Sequence, residues 1–272
     1  MRRGALSRKP ASGAQTVLRA VGLLKVLASG PRQGWRLSDL AAACSLDRAT
    51  AHRILKTLET ERLVIRDGSR RYAPGPMLFE LGLSYSRPVA FIQAVRRPLR
   101  AVASGFGAVG TLWLRSGLDV VCAERLGTTR TKVFVDVGTR RPLASMAPGI
   151  SILLALSAAE RRTLIAENLR RMDRLYPGRL GEFRAMLARS ERAGYGVTLG
   201  DVGQGMYSVG APIVTPQGEP VAALCLIGPT RDLPETRVEH LASRLHAIAT
   251  ELSDEQVDLL GDWQSEVSHS ET

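Results

Sequence analysis

The chain has 272 residues, 44% of them hydrophobic and 23% charged, which is enough for one large or two ordinary globular domains. No apolar run approaches the roughly 18–20 residues of a membrane span, and the basic start "MRRGALSRKP" lacks the apolar stretch of a signal peptide. These features exclude a membrane-spanning class, and we expect a cytoplasmic location. Three scattered cysteines match neither a disulfide framework nor a metal-ligand spacing, so no metal or cofactor is expected.

Positive charge is concentrated at the start of the chain. The formal net charge is +11; residues 1–75 hold 15 Lys or Arg against 5 Asp or Glu, whereas residues 76–272 are close to neutral. Concentrated positive charge usually marks a polyanionic partner. A membrane surface would require a basic amphipathic helix with large apolar residues opposite. The basic residues are instead scattered through what reads as a small packed domain, so we expect nucleic acid as the partner.

The first predicted elements are three helices and a hairpin. A helix over 15–28 carries Leu18, Val21 and Leu24 on one face. A second helix follows "SGPRQG" and is capped by Ser38, and "CSLD" forms a tight turn in which Asp47 caps the third helix. "RLVIRDGSRRYAP" reads as two short strands around an Asp-Gly turn. This order predicts a winged helix-turn-helix.

The third helix has one apolar stripe and one basic face. Ala51, Ile54, Leu55 and Leu58 fall at helical spacing and predict the buried side. The other face lacks acids and large apolar groups, whereas an ordinary solvated helix mixes both charge signs. Small residues near the helix start and cations along it suit entry into a DNA major groove. The predicted DNA-contacting residues are Ser38, Arg48, Ala49, Thr50, His52, Arg53, Lys56 and Thr57, together with Arg66, Arg70 and Arg71 around the hairpin tip.

The remainder of the chain mixes strands and helices. A short helix leads to Pro88, and another over 89–104 contains Pro98, which should bend or split it. Six strands are predicted at "VGTLWLR", "DVVCAERL", "TKVFVDV", "YGVTL", "YSVGAPIV" and "VAALCLIG". One long helical stretch is expected over 158–193, and Pro234 should open a closing helix whose end frays from Ser253.

In these motifs the chain resembles the IclR-type (isocitrate lyase regulator) bacterial transcription factors. The matching stretches are "VLRAVGLLKVLA", "LSDLAAACSLDRATAHRILKTLE", "RRYAPG", "VGTRRPLASMAPG", "ERAGYGV", "GQGMYSVGAPI" and "PVAALCLIGP". The resemblance implies an α+β fold in two domains, the second a GAF- or PAS-like effector-binding domain with an antiparallel sheet. We therefore expect a disordered arm at 1–13, the winged helix-turn-helix at 14–75, a linker helix at 76–88, the effector-binding domain at 89–253 and an acidic tail at 254–272.

The same resemblance implies function and partners. Members are homodimers or dimers of dimers that bind pseudo-palindromic operators in double-stranded DNA, and most repress catabolic or metabolic genes until a small organic effector binds. Thr50, Arg53, Tyr72 and Gly75 match family positions. Ala49 stands where a serine is usual, and Arg62 stands where a glycine usually follows the recognition helix, which suggests a differently shaped helix end.

The effector site implied by the resemblance is less polar here than in the family. The family's lysine is replaced by Ile150 and an acid by Thr198, while two positions that are often serine are Cys225 and Ile227. We therefore expect an acid with an apolar or aromatic body, anchored at the helix start that Gly149 opens. The implied effector residues are Ser145, Ala147, Pro148, Gly149, Thr198, Asp201, Ser208, Leu224, Cys225 and Ile227.

Two other classes remain open at the sequence level. A small-molecule enzyme would need an activated nucleophile, but Cys122 and Cys225 fall in apolar strands with no histidine in a nearby motif. An architectural DNA-binding protein without an effector would show weak sequence preference. The large second domain argues against that alternative, because a winged helix needs only a small dimerising partner.

Overall fold

The structure is a computed structural model that describes residues 12–30, 33–85, 87–127, 133, 135–200, 205–230 and 235–260. The chain divides into two compact units between Tyr85 and Ser86. In the described ranges, no helix is both long and apolar enough to cross a membrane. Each unit has its own apolar core and is described by itself.

The first unit has the predicted order of three helices, a hairpin and a further helix. Its core is built from Leu23, Leu40, Leu55 and Tyr72, all almost fully buried. The predicted face of the first helix is wrong, because Leu18 is 63% exposed and the buried residues are Leu23 and Leu27. The elements are α1 (Ser12–Ala28), α2 (Leu37–Ala43), α3 (Arg48–Thr60), β1 (Val64–Arg66), β2 (Tyr72–Pro74) and α4 (Pro76–Leu83).

The turn between α2 and α3 is closed by backbone hydrogen bonds. Ser45 adopts a left-handed conformation (φ 52°), and the Leu46 N–H donates to the Ala41 carbonyl at 2.8 Å. This arrangement is a Schellman motif, which satisfies carbonyls at the end of α2. Asp47 caps α3 as predicted, since its carboxylate accepts from the Thr50 N–H at 2.8 Å.

Two details of this unit differ from the sequence prediction. Ser38 does not cap α2, because the helix already begins at Leu37 and the Ser38 hydroxyl donates to Asp39. The hairpin tip is a three-residue loop between Asp67 and Arg71, and its left-handed residue is Arg70 rather than Gly68. A loop of this length commonly places its last residue in that conformation.

The second unit is built on a six-stranded antiparallel sheet. The strand order is β5-β4-β3-β8-β7-β6, so the chain's last strand lies beside its third. The strands are β3 (Val109–Ser116), β4 (Asp119–Leu126), β5 (Arg140–Pro142), β6 (Gly196–Leu199), β7 (Met206–Val214) and β8 (Pro220–Pro229). The helices are α5 (Arg87–Gly105), α6 (Ala147–Ala155), α7 (Ala158–Leu175), α8 (Leu180–Ala193) and α9 (Glu235–Glu255).

The sheet is covered on both faces, and each face has its own apolar cluster. Side chains from α5 and α9 share one cluster with Leu112, Leu224 and Leu226. Side chains from α6, α7 and α8 share the other with Trp113 and Cys225. Because side chains alternate along a strand, neighbouring residues of β8 serve opposite faces. We call the surface of the sheet under α6 the α6 face.

Several elements of this unit differ from those predicted from the sequence. Pro98 lies within a single helix, α5, and does not split it. A strand was predicted at 131–137, but the residues described there, 133 and 135–137, are not in a strand. The edge strand on this side of the sheet is β5 instead. The helical stretch predicted at 158–193 is two helices, because Pro177 and Gly178 (φ 78°) interrupt it. The fraying predicted from Ser253 is wrong for residues 254–260, because α9 runs to Glu255 and Leu260 is fully buried, and residues 261–272 lie outside the described residues.

The edge strand β6 is protected by a helix side chain. The buried Ser190 hydroxyl, on α8, accepts from the Val197 N–H at 3.0 Å and donates to the Val197 carbonyl at 3.2 Å. One hydroxyl thus satisfies both backbone groups that a further strand would otherwise bind. Unpaired edge groups are a template for aggregation, so this contact blocks the addition of a strand at Val197.

Replacing Ser190 by alanine should destabilise the second unit by about 2 kcal/mol, because a buried N–H and a buried carbonyl both lose their partner. Urea unfolding followed by circular dichroism measures this change. Ser243→Ala, an exposed serine on α9, is the matched control and should be neutral within about 0.5 kcal/mol. Equal stability of the two variants would contradict the role of Ser190.

Candidate nucleic-acid interface and effector site

The exposed side of α3 carries the predicted basic face. Ala51, Ile54, Leu55 and Leu58 are buried in the core of the first unit, as their spacing predicts. The opposite surface lacks bulky apolar groups and can enter a groove about as wide as a helix. Its exposed residues are Arg48, Ala49, His52, Arg53, Lys56 and Thr57, with Thr50 half-buried at the border.

A chain of polar contacts fixes the start of this helix. The Thr50 N–H bonds to Asp47 at 2.8 Å, and Arg53 Nη2 donates to Thr50 Oγ1 at 3.3 Å. Hydrogen bonding to Thr50 lowers the pKa of the Asp47 carboxyl, so the cap stays ionised near neutral pH and is lost only on acidification. These contacts hold the Arg53 guanidinium beside the helix start, where base edges are read in helix-turn-helix proteins.

The hairpin presents two of its three predicted arginines to solvent. Arg66 and Arg70 are exposed, and the Arg66 guanidinium lies 5.4 Å from the centre of the Tyr72 ring. Arg71 is half-buried and donates to the Gly34 carbonyl at 3.1 Å, so it also ties the hairpin to the loop before α2. Trp35 exchanges two backbone hydrogen bonds of 2.8 Å with Tyr72, a third strand-like bridge that the sequence did not predict.

The end of α3 keeps the glycine-like geometry although the residue is Arg62. Arg62 has φ 58°, and the Leu63 N–H donates to the Leu58 carbonyl at 2.9 Å, which is a Schellman motif. The expectation of a differently shaped helix end is therefore wrong for the backbone. Gly75 directly follows β2 and lies against this helix end. A Cβ at position 75 would lie 2.1 Å from the Arg62 carbonyl oxygen, so a larger residue would clash with the backbone.

Arg62→Gly should stabilise the first unit by about 0.5–1 kcal/mol, because a left-handed arginine costs roughly 1–2 kcal/mol, partly offset by the flexibility of glycine. The substitution also removes the exposed Arg62–Glu80 ion pair, which is worth little. Glu80→Gln removes the pair alone and serves as the control in thermal unfolding. A lower melting temperature for Arg62→Gly than for Glu80→Gln would contradict the proposal that the left-handed backbone of Arg62 is strained.

The predicted effector region lies where α6 begins. The helix starts at Ala147, after the cap residue Met146, so Gly149 is its third residue and does not open it as predicted. Gly196 and Gly210 lie side by side on the α6 face beneath this helix start. A Cβ at Gly196 would lie 2.0 Å from the Ala147 carbonyl oxygen, and one at Gly210 would lie 2.7 Å from it. The two glycines therefore let the helix start contact the sheet backbone.

A row of polar side chains crosses the α6 face beside this contact. Thr198 and Ser208 share a hydrogen bond of 2.6 Å. Ile227, on β8, is the cross-strand neighbour of Ser208 and adds an apolar side chain beside this polar pair. The buried Thr111 hydroxyl, opposite Cys225 on the neighbouring strand, donates to the Cys225 carbonyl at 3.3 Å. The row lies in an otherwise apolar cluster, so polar groups are few and fixed in place, as in most small-molecule sites.

The other predicted effector residues are distributed unevenly. Leu224 packs in the cluster on the opposite face, because it alternates with Cys225 along β8, so its assignment to the same site was wrong. Ser145 is buried in a 3-10 turn and donates to the Pro142 carbonyl at 2.7 Å. Asp201 lies outside the described residues. The residues brought together at the start of α6 are Ala147, Pro148, Gly149, Thr198, Ser208, Cys225 and Ile227.

The buried thiols are poor nucleophiles. Burial raises the pKa of both Cys122 and Cys225 to about 12, so each thiol stays protonated near neutral pH. The thiolate is the reactive form of cysteine. The two thiols therefore do not support the alternative hypothesis of an enzyme with Cys122 or Cys225 as its nucleophile.

The first unit thus has an exposed basic recognition helix, and the second has a helix start beside a polar row. Together they define a DNA-binding transcription regulator with an effector-binding domain. Family models agree: residues 16–68 match the IclR helix-turn-helix domain, and residues 84–254 match the bacterial transcriptional regulator IclR C-terminal domain. The chain belongs to the IclR family.

Curated relatives and solved structures are similar to most of the chain. The glycerol operon regulatory protein of Streptomyces coelicolor is 29% identical over 79% of this chain and 84% of its own length. The fold is similar to that of an IclR family transcriptional regulator from Brucella abortus, with 20% identity, a TM-score of 0.73 and coverage of 93% and 96% of the two chains. It is also similar to an IclR homologue from Microbacterium hydrocarbonoxydans complexed with 4-hydroxybenzoate, with 21% identity, a TM-score of 0.63 and coverage of 88% and 98%.

Proposed function

We propose that this regulator is a repressor that reads its operator with α3 and is released by an organic acid bound beside the start of α6, at the Thr198–Ser208 pair. The exposed basic face of α3 is the observation that supports the proposed DNA binding. Arg53 on this face is held in place by its hydrogen bond to Thr50. The two exposed hairpin arginines, Arg66 and Arg70, lie at the tip of the wing and are assigned to backbone phosphates.

The effector is assigned as an acid with an aromatic or aliphatic body. Ala147 and Gly149 carry two of the backbone N–H groups at the start of α6, and the unbonded N–H groups of a helix start favour a carboxylate. The Thr198 and Ser208 hydroxyls can orient a second polar group, while Ile227 offers apolar contact. The 4-hydroxybenzoate of the Microbacterium homologue has this chemistry and supports the proposed ligand class.

Two recognition helices must be held in one particle, because a single winged helix reads few base pairs. The first unit exposes apolar side chains that a second copy could cover. Phe79 and Leu83 on α4 are 71% and 64% exposed. We propose a homodimer, which can pair further into a dimer of dimers. A monomer in light scattering at micromolar concentration would contradict this assembly.

A polar-anchor variant tests the effector site. Thr198→Val with Ser208→Ala removes both partners of their shared hydrogen bond, so neither hydroxyl is left without its partner, and the fold and DNA binding should persist. Operator DNA is first selected from a randomised duplex pool, and its release is then followed by fluorescence anisotropy against a panel of aromatic and aliphatic acids that includes 4-hydroxybenzoate. The variant cannot make the two hydrogen bonds that the Thr198 and Ser208 hydroxyls would make to the effector. We therefore expect its release from operator DNA to need at least about a tenfold higher concentration of any acid that releases the wild type.

The control is Ser243→Ala, an exposed hydroxyl on the opposite side of the sheet, which should respond like the wild type. An unchanged response of the double variant would contradict the placement of the site. Release of the wild type only by two- or three-carbon acids would contradict the ligand class.

A further inference from the structure

A groove runs between α1 and α3 along one flank of the recognition helix. Its volume is about 430 Å³. Val17, Ala20, Ile54 and Leu58 form an apolar floor. The polar lining comes from Thr16 and Arg19 on α1, and from Thr50, Arg53 and Thr57 on α3. The groove therefore contains two guanidinium groups and three hydroxyls, and none of its lining residues is acidic.

The position of the groove follows from helix geometry. At about 100° per residue, Thr50, Arg53 and Thr57 fall on one edge of the exposed face of α3, between the base-reading surface and the buried stripe. A helix lying in a major groove has a sugar-phosphate strand along each flank. The flank that adjoins α1 is therefore opposite a DNA backbone when the outer face of α3 is in the groove.

The chemistry of the groove matches that strand. A phosphodiester is an anion between two largely apolar deoxyribose rings, so it needs cations and donors at a rim and apolar contact beside them. Arg19 is exposed on α1, and Arg53 donates to Thr50 Oγ1 at 3.3 Å, so both guanidinium groups belong to the polar lining of the groove. A small apolar ligand or an apolar segment of a second copy would gain nothing from two guanidinium groups.

We propose that the α1–α3 groove binds one phosphate of the DNA backbone, with Arg19 as its principal cation. This inference rests on the proposed DNA-binding function and extends the contact surface from α3 and the wing to α1. Phosphate contacts position a protein on the duplex without reading its sequence. Arg19 therefore contributes equally to binding of the operator and of unrelated DNA.

The test is the salt dependence of DNA binding by the full-length protein. Anisotropy titrations use the selected operator and an unrelated mixed-sequence duplex between about 50 and 200 mM salt, where each neutralised phosphate contributes roughly 0.9 to the slope of log affinity against log salt. We expect Arg19→Ala to reduce this slope by about 0.9 for each protomer bound, on both duplexes. Arg19→Lys should retain the wild-type slope.

Lys25→Ala is the matched control, because Lys25 is an exposed cation on another face of α1, outside the groove lining. It should leave the slope unchanged. A slope for Arg19→Ala equal to that for Lys25→Ala, or a loss confined to the operator, would overturn the proposal. If the wild type itself showed a flat salt response, the DNA-binding function would fail instead, so the two failures are distinguishable. Circular dichroism confirms that each variant is folded.

Discussion

Gly196→Ala is expected to destabilise the second unit by about 3 kcal/mol or more, a large effect for a single added methyl group. The backbone conformation of Gly196 is open to alanine, so the cost is steric. Its Cβ would lie 2.0 Å from the Ala147 carbonyl oxygen and 3.0 Å from the Ser151 nitrogen. Both are backbone atoms of α6, so the helix start must move away from the sheet. Thermal and urea unfolding measure the loss.

Gly181→Ala is the control for this substitution, because Gly181 lies on α8 with nothing within 4 Å of the added Cβ. It should be neutral or slightly stabilising, since alanine favours a helix more than glycine does. The displaced helix start should also lower the effector response of any Gly196→Ala protein that remains folded. Equal stability of the two variants would show that α6 does not contact the sheet backbone at Gly196.

Arg53→Ala is expected to weaken operator binding by about 1–3 kcal/mol for each recognition helix, so a dimer loses this amount twice. The physical reason is the loss of a guanidinium that can bind a guanine edge or a phosphate in the major groove. Fluorescence anisotropy at fixed salt measures the change. Because Arg53 is exposed, the folded state of the first unit should be unaffected.

Arg184→Ala is a charge-matched control, since Arg184 is exposed on α8 in the second unit. Its operator affinity should equal that of the wild type at the same salt concentration. If Arg53→Ala bound the operator as tightly as Arg184→Ala does, α3 would not be the recognition helix.

Local patterns predicted the first unit well. The stripe Ala51, Ile54, Leu55 and Leu58 is buried, and Asp47 caps α3, because helical spacing and capping depend on nearby residues alone. The face of α1 was not predictable in this way. Leu18 and Leu23 are equally apolar, and only the position of the other helices decides which one is buried.

The second unit shows where sequence patterns fail for a site. β8 is an apolar stretch buried on both faces, so its sequence does not show which set of alternate residues faces α6. Alternation does place Leu224 and Cys225 on opposite faces, so assigning both side chains to one site was an error that the strand period could have prevented. The family resemblance assigned Ser208 and Cys225 to one effector site, which stays a prediction, and the structure places them on the neighbouring strands β7 and β8. The contact of α6 with Gly196 and Gly210 depends on residues about fifty or more positions apart. The contact of Ser190 with Val197 spans only seven residues, but it depends on how α8 packs against β6.

Paired recognition helices should read a specific DNA sequence, and this is the property on which the proposed regulation depends. Selection of duplexes from a randomised pool by the purified protein tests it most directly, with the enriched sequences read after several rounds. We predict an inverted repeat whose half-sites are centred about 10 base pairs, or a multiple of that spacing, apart. A pool that stays random, or that is retained without any loss as salt is raised, would contradict sequence reading by paired helices.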